Sequence, residues 1–217
     1  MNIKAVIWDL DGTLLNTLED LAASVNAALA MNGMPQRSLQ EVRAFVGNGI
    51  RNLMLRAVPG GGENPAFEKA LADFTAHYAQ HSRDTTRPYD GILGTLDALS
   101  AQGVKHAIVS NKIDFAVKAL SRAYFGTRMQ AAVGDDPARR RKPAPDSVLA
   151  AMREMGVTAE ETVYVGDSDV DVQTARNAGV ACVAVLWGFR DEACLREAGA
   201  KLLAHTPQEL REMIERL

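Results

Sequence analysis

A chain of 217 residues with 47% hydrophobic content is long enough for one large domain, or a domain with a smaller insert, around a proper core. Its net charge of −3 gives no footprint for nucleic acid or an anionic membrane surface, and no apolar run is long enough to span a bilayer. Cys182 and Cys194 make neither a disulfide framework nor a metal cluster, and no signal-peptide anatomy precedes the first strand, so the chain reads as cytoplasmic with reduced thiols.

The first element is an apolar run, Ala5-Val6-Ile7-Trp8, which ends in two carboxylates, Asp9 and Asp11, with Gly12 and Thr13 close behind. A β-branched apolar run of that length reads as a strand buried on both faces. Residues i and i+2 of extended chain point the same way, so Asp9 and Asp11 can face one reacting centre. A helical block follows. Thr17 is placed to cap a helix running to about Met31. Ser38 with Glu41 forms a capping-box pattern. A glycine loop, Gly47-Asn48-Gly49, leads into a helix from Ile50 to about Val58. Asn64-Pro65 reads as the cap and first turn of a helix reaching His81. Residues 16–82 therefore read as an all-α insert.

From residue 83 the pattern alternates. A helix from about Ile92 to Gln102 precedes a strand, Lys105 to Val109, with Ser110-Asn111 at its end. A helix over about 115–123 and a short strand over 130–133 follow. The basic run Arg139-Arg140-Arg141-Lys142 comes before a helix from Asp146 to Met155. The strand from Glu161 to Val165 ends in Gly166-Asp167-Ser168-Asp169-Val170-Asp171. Helices and strands alternate again to the C-terminus, where Thr206-Pro207-Gln208-Glu209 opens the last helix. Such alternation implies a Rossmann-like parallel sheet with helices on both faces, formed by residues 1–15 and 83–217. The insert at 16–82 would sit above the carboxyl ends of the strands, a position suited to a lid.

A parallel sheet gathers the polar strand ends at one edge, where ligands bind. Asp9, Asp11, Asp167 and Asp171 would repel one another there, and a divalent cation relieves that repulsion. Oxygen donors without nearby His or Cys suit Mg²⁺. Lys142 offers a point charge for a phosphate oxygen, and Ser110 and Asn111 offer hydroxyl and amide donors. These parts describe phosphoryl transfer. Asp9, fixed by the strand it ends, is read as the nucleophile that forms an aspartyl phosphate. Asp11 is read as the general acid and base. Asp169 is read as exposed, because Asp167 and Asp171, four apart, share a helix face that excludes it. Arg139, Arg140 and Arg141 read as a solvated patch able to steer an anion. His77, His81, His106 and His205 are scattered and receive no role, and Trp8 and Trp187 read as core or pocket wall.

The segment Asp9-Leu10-Asp11-Gly12-Thr13 resembles the first signature of the haloacid dehalogenase-like hydrolases. Ser110-Asn111 resembles the second signature, Lys142-Pro143 the third, and Gly166-Asp167 with Asp171 the fourth, all in order. The helical insert is similar to the small cap of the phosphoglycolate phosphatase-like subgroup. This resemblance implies a phosphatase that takes 2-phosphoglycolate or another small phosphorylated metabolite. It implies Mg²⁺ bound by the Asp9 carboxylate, the Asp11 carbonyl and Asp167, with Asp171 a nearby acid. It implies phosphate held by Thr13, Ser110, Asn111 and Lys142, and cap contacts through Asn48 and Arg51. The same core also serves sugar-phosphate mutases and nucleotide or sugar phosphatases. Phosphonate hydrolases require a Schiff-base lysine in the cap; Lys69, the insert's single lysine, lies in its last helix. The expected state is a monomer or homodimer with no nucleic-acid or membrane partner.

Overall fold

The protein is described here from a computed structural model covering residues 3–217. It divides into two compact units, residues 1–15 with 88–217, and residues 16–87. The sequence reading placed the second division at 82/83. The chain passes between the units at β2 (Leu15–Asn16) and β3 (Arg87–Pro88), which pair with each other.

The larger unit is built on a parallel six-stranded sheet. Its strands are β1 (Ala5–Trp8), β4 (Lys105–Ile113), β5 (Ala131–Asp135), β6 (Thr162–Gly166), β7 (Ala181–Val185) and β8 (Leu202–Ala204), in the order β5-β4-β1-β6-β7-β8. The first strand of the chain thus lies inside the sheet, between β4 and β6. Its residues alternate between two cores, as the pleat requires. Val6 and Trp8 pack with Ile92, Leu96 and Leu99 of α5 (Ile92–Ala101), Val117 of α6 (Asp114–Tyr124), and Leu210 and Ile214 of α10 (Pro207–Arg216). Ala5 and Ile7 pack on the opposite face with Val148, Ala151 and Met152 of α7 (Asp146–Met155) and Ala175 of α8 (Asp169–Ala178). Helices on both faces account for the unbroken apolar character of β1. Beyond β7, α9 (Glu192–Glu197) completes a small satellite cluster with Val172, Ala184 and Leu203.

The smaller unit contains α1 (Leu18–Met31), α2 (Leu39–Phe45), α3 (Ile50–Ala57) and α4 (Phe67–His81) around Leu21, Val25, Leu29, Met54, Phe67 and Phe74. Ser38 and Glu41 form the full capping box at the start of α2. Two other predicted caps are corrected. Thr17 stands at the N-cap of α1 with φ −111° and ψ 6°, and its side chain makes no cap bond. Asn16 Oδ1 accepts from Leu18 N at 3.3 Å instead. Asn64 does not start α4 directly; its Oδ1 accepts from Ala66 N at 2.9 Å in a turn, and Ala66 is the cap residue. After α4 the Asp20 carboxylate accepts from Thr85 N (2.9 Å), Thr85 Oγ1 (2.6 Å) and Thr86 N (2.9 Å), which ties residues beyond 82 to α1.

One further difference bears on the site. β4 does not stop at Val109 but continues through Ser110, Asn111 and Lys112 to Ile113. Its pairing with β5 runs to Val109↔Val133 and resumes at Ile113↔Asp135, four steps on one strand against two on the other. That irregularity turns the polar residues out of the ladder without ending the strand.

A histidine lies buried at the base of the sheet. His106 Nδ1 accepts from Trp8 Nε1 at 3.2 Å. Burial, only partly offset by the Leu96 main chain and Asp97, lowers its pKa from 6.5 to about 4, so the ring is neutral in the fold. In the unfolded chain it protonates near 6.5, so stability present above that pH is lost as pH falls from 6.5 to about 4. The full effect is roughly 3 kcal/mol. His106→Gln, which keeps an acceptor for Trp8, is expected to flatten this acid limb. Urea unfolding of both proteins between pH 7 and 4.5 measures the difference; parallel curves would refute it.

Candidate active site

The site is assembled where β1, β4 and β6 end. Asp9 N donates to Val165 O at 2.8 Å, so the first acid is still held by the main chain of the neighbouring strand. The chain then turns tightly: Leu14 N and Leu15 N both donate to Leu10 O, and Gly12 N donates to Leu15 O. Gly12 has φ +88°, and a Cβ there would lie 2.4 Å from Asp167 Oδ2. From the other side a Cβ on Gly188 would lie 2.2 Å from Asp167 Cβ. Asp167 therefore sits between two backbones that only glycine lets approach so closely.

Lys142 stands at the centre. Its ammonium donates to Asp9 Oδ1 at 2.8 Å, Asp171 Oδ1 at 2.7 Å and Tyr164 Oη at 3.1 Å, all of them buried. Asn111 fixes the main chain of Lys142 from both directions: Lys142 N donates to Asn111 Oδ1 at 3.0 Å, and Asn111 Nδ2 donates to Lys142 O at 3.2 Å. Asp171 is also held twice. Oδ1 accepts from Lys142 and from Tyr164 Oη (2.9 Å), while Oδ2 accepts from Ser168 N (3.1 Å) and Ser168 Oγ (2.5 Å) in the capping box of α8. Asp167 accepts from Thr13 Oγ1 at 3.0 Å and Phe189 N at 2.8 Å. Asp167 precedes the cap residue of α8, so its convergence with Asp171 comes from the strand end and not from a shared helical turn.

The sequence-predicted residues divide as follows. Asp9, Asp11, Thr13, Ser110, Asn111, Lys142, Asp167 and Asp171 all belong to the larger unit. Thr13 directs its hydroxyl at Asp167, and Asn111 directs its amide at the Lys142 main chain. Ser110 is buried, and its hydroxyl accepts from Lys112 N at 3.2 Å. Asn48 and Arg51 belong to the smaller unit. Asn48 is exposed with φ +60°; Arg51 is bonded to Glu68 at 2.5 and 3.1 Å and lies 5.0 Å over the Phe67 ring. Asp169 is 39% exposed, 3.7 Å from Arg190 Nε. Each arginine of the basic run has its own acid: Arg139 pairs with Asp136, Arg140 with Asp146 and Arg141 with Asp135.

Sequence reading passed over Lys112, Tyr164, Gly188 and Phe189, and read Trp187 only as core or pocket wall. Lys112 Nζ donates to Asp11 Oδ1 at 2.8 Å, with the lysine side chain 6% exposed. Tyr164 projects from the middle of β6. The Trp187-Gly188-Phe189 loop after β7 backs Asp167, and Trp187 Nε1 donates to Thr13 O at 3.0 Å. The available signal was position: Lys112 is two residues past Ser110 on extended chain, and residue 187 follows a strand end.

With all four carboxylates ionised, the two ammoniums would leave the cluster two negative charges in excess. One ligand oxygen each from Asp9, Asp167 and Asp171 lies within 4.8 Å of the others. Burial, then the charge of Asp171, holds the Asp9 carboxyl well above its ordinary range. The same two causes push Asp167 up to about 7, against the opposing bonds from Phe189 N and Thr13. Lys142 is pulled down by burial, but Asp171 and Asp9 outweigh that and hold it firmly charged. All-oxygen donors with two unbalanced negative charges fit a hard divalent cation.

The family described as haloacid dehalogenase-like hydrolase has a model that matches residues 6–185, and the chain belongs to that family. A phosphoglycolate phosphatase of Pseudomonas putida is 38% identical over 192 residues, covering 86% of this chain and 70% of that protein. The N-acetylmuramic acid 6-phosphate phosphatase of Pseudomonas aeruginosa is 32% identical over 218 residues, covering 100% and 96%. A crystal structure from Lactobacillus delbrueckii subsp. bulgaricus, provisionally named a phosphoglycolate phosphatase, superposes with a TM-score of 0.94 at 33% identity, over 99% of both chains.

The raised Asp167 carboxyl has a stability consequence. Its pKa in the folded, metal-free protein is about 7 against an ordinary 3.8, so that protein loses stability as pH rises through this interval. Asp167→Asn removes the charge, and the amide can still accept from Phe189 N. The metal-free variant is expected to melt on the order of 5 °C above the metal-free wild type at pH 8, with the gap closing toward pH 4. Thermal melts in a chelator measure this; an equal gap at both pH values would refute it.

Proposed function

We propose that the chain hydrolyses a small phosphate monoester through an aspartyl phosphate on Asp9, and that 2-phosphoglycolate is its substrate. One observation carries the chemistry. Asp9 and Asp167 lie buried with Lys142 at the carboxyl edge of the sheet, with Lys142 Nζ 2.8 Å from Asp9 Oδ1. Names of relatives support the substrate: phosphoglycolate phosphatases at 34–38% identity cover 82–97% of this chain. The N-acetylmuramic acid 6-phosphate phosphatase matches nearly its whole length, which favours a carboxylate-bearing sugar phosphate as the second reading. Both named substrates carry a carboxylate besides the phosphate ester.

The steps follow from the residues. Asp9 attacks phosphorus as a carboxylate while the bond to the ester oxygen breaks. Lys142, whose ammonium lies beside Asp9, holds the phosphate and favours the ionised acid. Asp11 as a carboxylic acid gives its proton to the departing oxygen, releasing an alcohol. Asp11 as a carboxylate then takes a proton from water as the water oxygen attacks the aspartyl phosphate. The phosphorus–Asp9 bond breaks, inorganic phosphate leaves, and Asp11 is again protonated. Mg²⁺ is the proposed cation, held by Asp9, Asp167 and the Asp11 carbonyl; when bound it neutralises charge on the phosphoryl oxygens. Asp171 has both oxygens engaged by Lys142, Tyr164 and Ser168, which fits a role in orienting Lys142.

Choice among esters is assigned to the insert, through Asn48 and Arg51. Glu68 occupies the Arg51 guanidinium, so a substrate carboxylate would have to replace it.

Phosphate release over a panel of metabolite phosphates with Mg²⁺ tests the reading. Asp9→Asn is expected to lose roughly 10³-fold or more in kcat, and acid quench of the wild type should trap phosphate on Asp9. Turnover by the variant at the wild-type rate would overturn the nucleophile assignment, as would failure to trap phosphate on that residue. Arg51→Met is expected to raise KM for 2-phosphoglycolate roughly 10-fold, with aspartyl-phosphate formation intact. An unchanged KM would remove Arg51 from substrate selection.

A further inference from the structure

The proposed proton carrier is not left free in its pocket. Asp11 is 18% exposed at its side chain, and Oδ1 accepts from Lys112 Nζ at 2.8 Å. Lys112 comes from the irregular end of β4, where the register against β5 slips between Val109 and Ile113. Its main chain is pinned there, since Lys112 N donates to Ser110 Oγ at 3.2 Å. The lysine side chain is 6% exposed, so its ammonium has little solvent to turn toward. Bound in this way, Asp11 Oδ1 is held in place beside the buried lysine.

We propose that Lys112 is a positioning residue that holds Asp11 in register with the reacting phosphorus, above all for the hydrolysis of the aspartyl phosphate. This rests on Asp9 as nucleophile and Asp11 as acid and base. The second half-reaction makes the stronger demand. Water must be oriented and deprotonated at once, whereas a good leaving group needs no proton from Asp11. Misplacing a catalytic group by about 1 Å can cost on the order of 10²-fold in rate. Loss of the lysine should therefore slow dephosphorylation most, and an aryl phosphate exposes that step because its first half-reaction needs little acid catalysis.

The experiment compares wild type, Lys112→Met, Asp11→Asn and the double variant on an aryl phosphate with saturating Mg²⁺. Steady-state phosphate release, the pre-steady-state burst of aryl alcohol and the fraction of chain phosphorylated at Asp9 after acid quench are followed. Lys112→Met is expected to lower kcat roughly 10- to 100-fold with KM falling in parallel, so that kcat/KM, which reports formation of the phosphoenzyme, changes less than about 3-fold. It should also release a burst approaching one aryl alcohol per chain and accumulate phosphorylated Asp9. In the Asp11→Asn background the lysine change should have no further effect. Lys112→Arg, which keeps a cation, should recover part of the loss, and a melt of each variant separates misfolding from mispositioning. Wild-type turnover in Lys112→Met overturns the inference. So does a folded variant whose loss comes without accumulated phosphoenzyme, or losses that multiply in the double variant. Failure to trap phosphate on Asp9 in the wild type would instead count against the underlying mechanism.

Discussion

The buried ammonium of Lys142 is the interaction on which the site depends. It is bonded to Asp9, Asp171 and Tyr164 and has almost no contact with solvent. Taking a charge out of water is costly unless it is paired and fully hydrogen-bonded, and each acid beside Lys142 would be worse placed without it. Removing one partner of a buried pair typically costs about 3–5 kcal/mol, because the other charge is left uncompensated. The surrounding structure is arranged to hold this lysine still. Asn111 clamps its main chain from β4, and the capping box of α8 fixes the far side of Asp171. The glycines that flank Asp167 let a third carboxylate come close. The result is a rigid pocket with too much negative charge for its own lysines, which is the state a divalent cation completes.

How far this could be read from the sequence differs by level. The parallel sheet was legible because β1, β6 and β7 are apolar runs that end in turns or acids, and the alternation with helices leaves few other topologies. Asp9, Asp167 and Asp171 were legible as a group because each follows or borders such an end, and Lys142 was legible by its place in the basic run before α7. Their partners were not. Thr13 and Asn111 were recognised as parts of the site, yet what they touch depends on main-chain direction at two turns: one orients Asp167 and the other holds the Lys142 backbone. Tyr164 was hidden because an aromatic residue in an apolar strand reads as core, and only the pleat shows that its hydroxyl meets Lys142. Lys112 was hidden by the assumption that β4 stops where its apolar residues stop. Hydrogen bonding continued through the polar stretch, and the slip in register aimed the side chain at Asp11. The Trp187–Phe189 loop left no compositional sign, since a backbone N–H donor can be supplied by any residue but proline.

These hidden partners give two neighbouring acids different surroundings, on which the different roles proposed for them rest. Asp9 and Asp11 are two residues apart on one tight turn and would otherwise have similar surroundings. Each has its own lysine, at 2.8 Å in both cases, delivered by a different part of the chain. The pairings differ in burial. Asp9 and Lys142 are enclosed and shared with Asp171, whereas Asp11 and Lys112 form a separate pair at a more open position. An enclosed carboxylate held against a buried lysine fits the nucleophile role proposed for Asp9, because water is kept from it and its direction is fixed. A carboxylate tethered by one oxygen at a partly exposed position fits the proton-transfer role proposed for Asp11. The spacing of the two acids puts both at the end of β1; the lysines, which come from β4 and from the loop before α7, are what give them unequal surroundings, and the division of roles proposed for them rests on that difference.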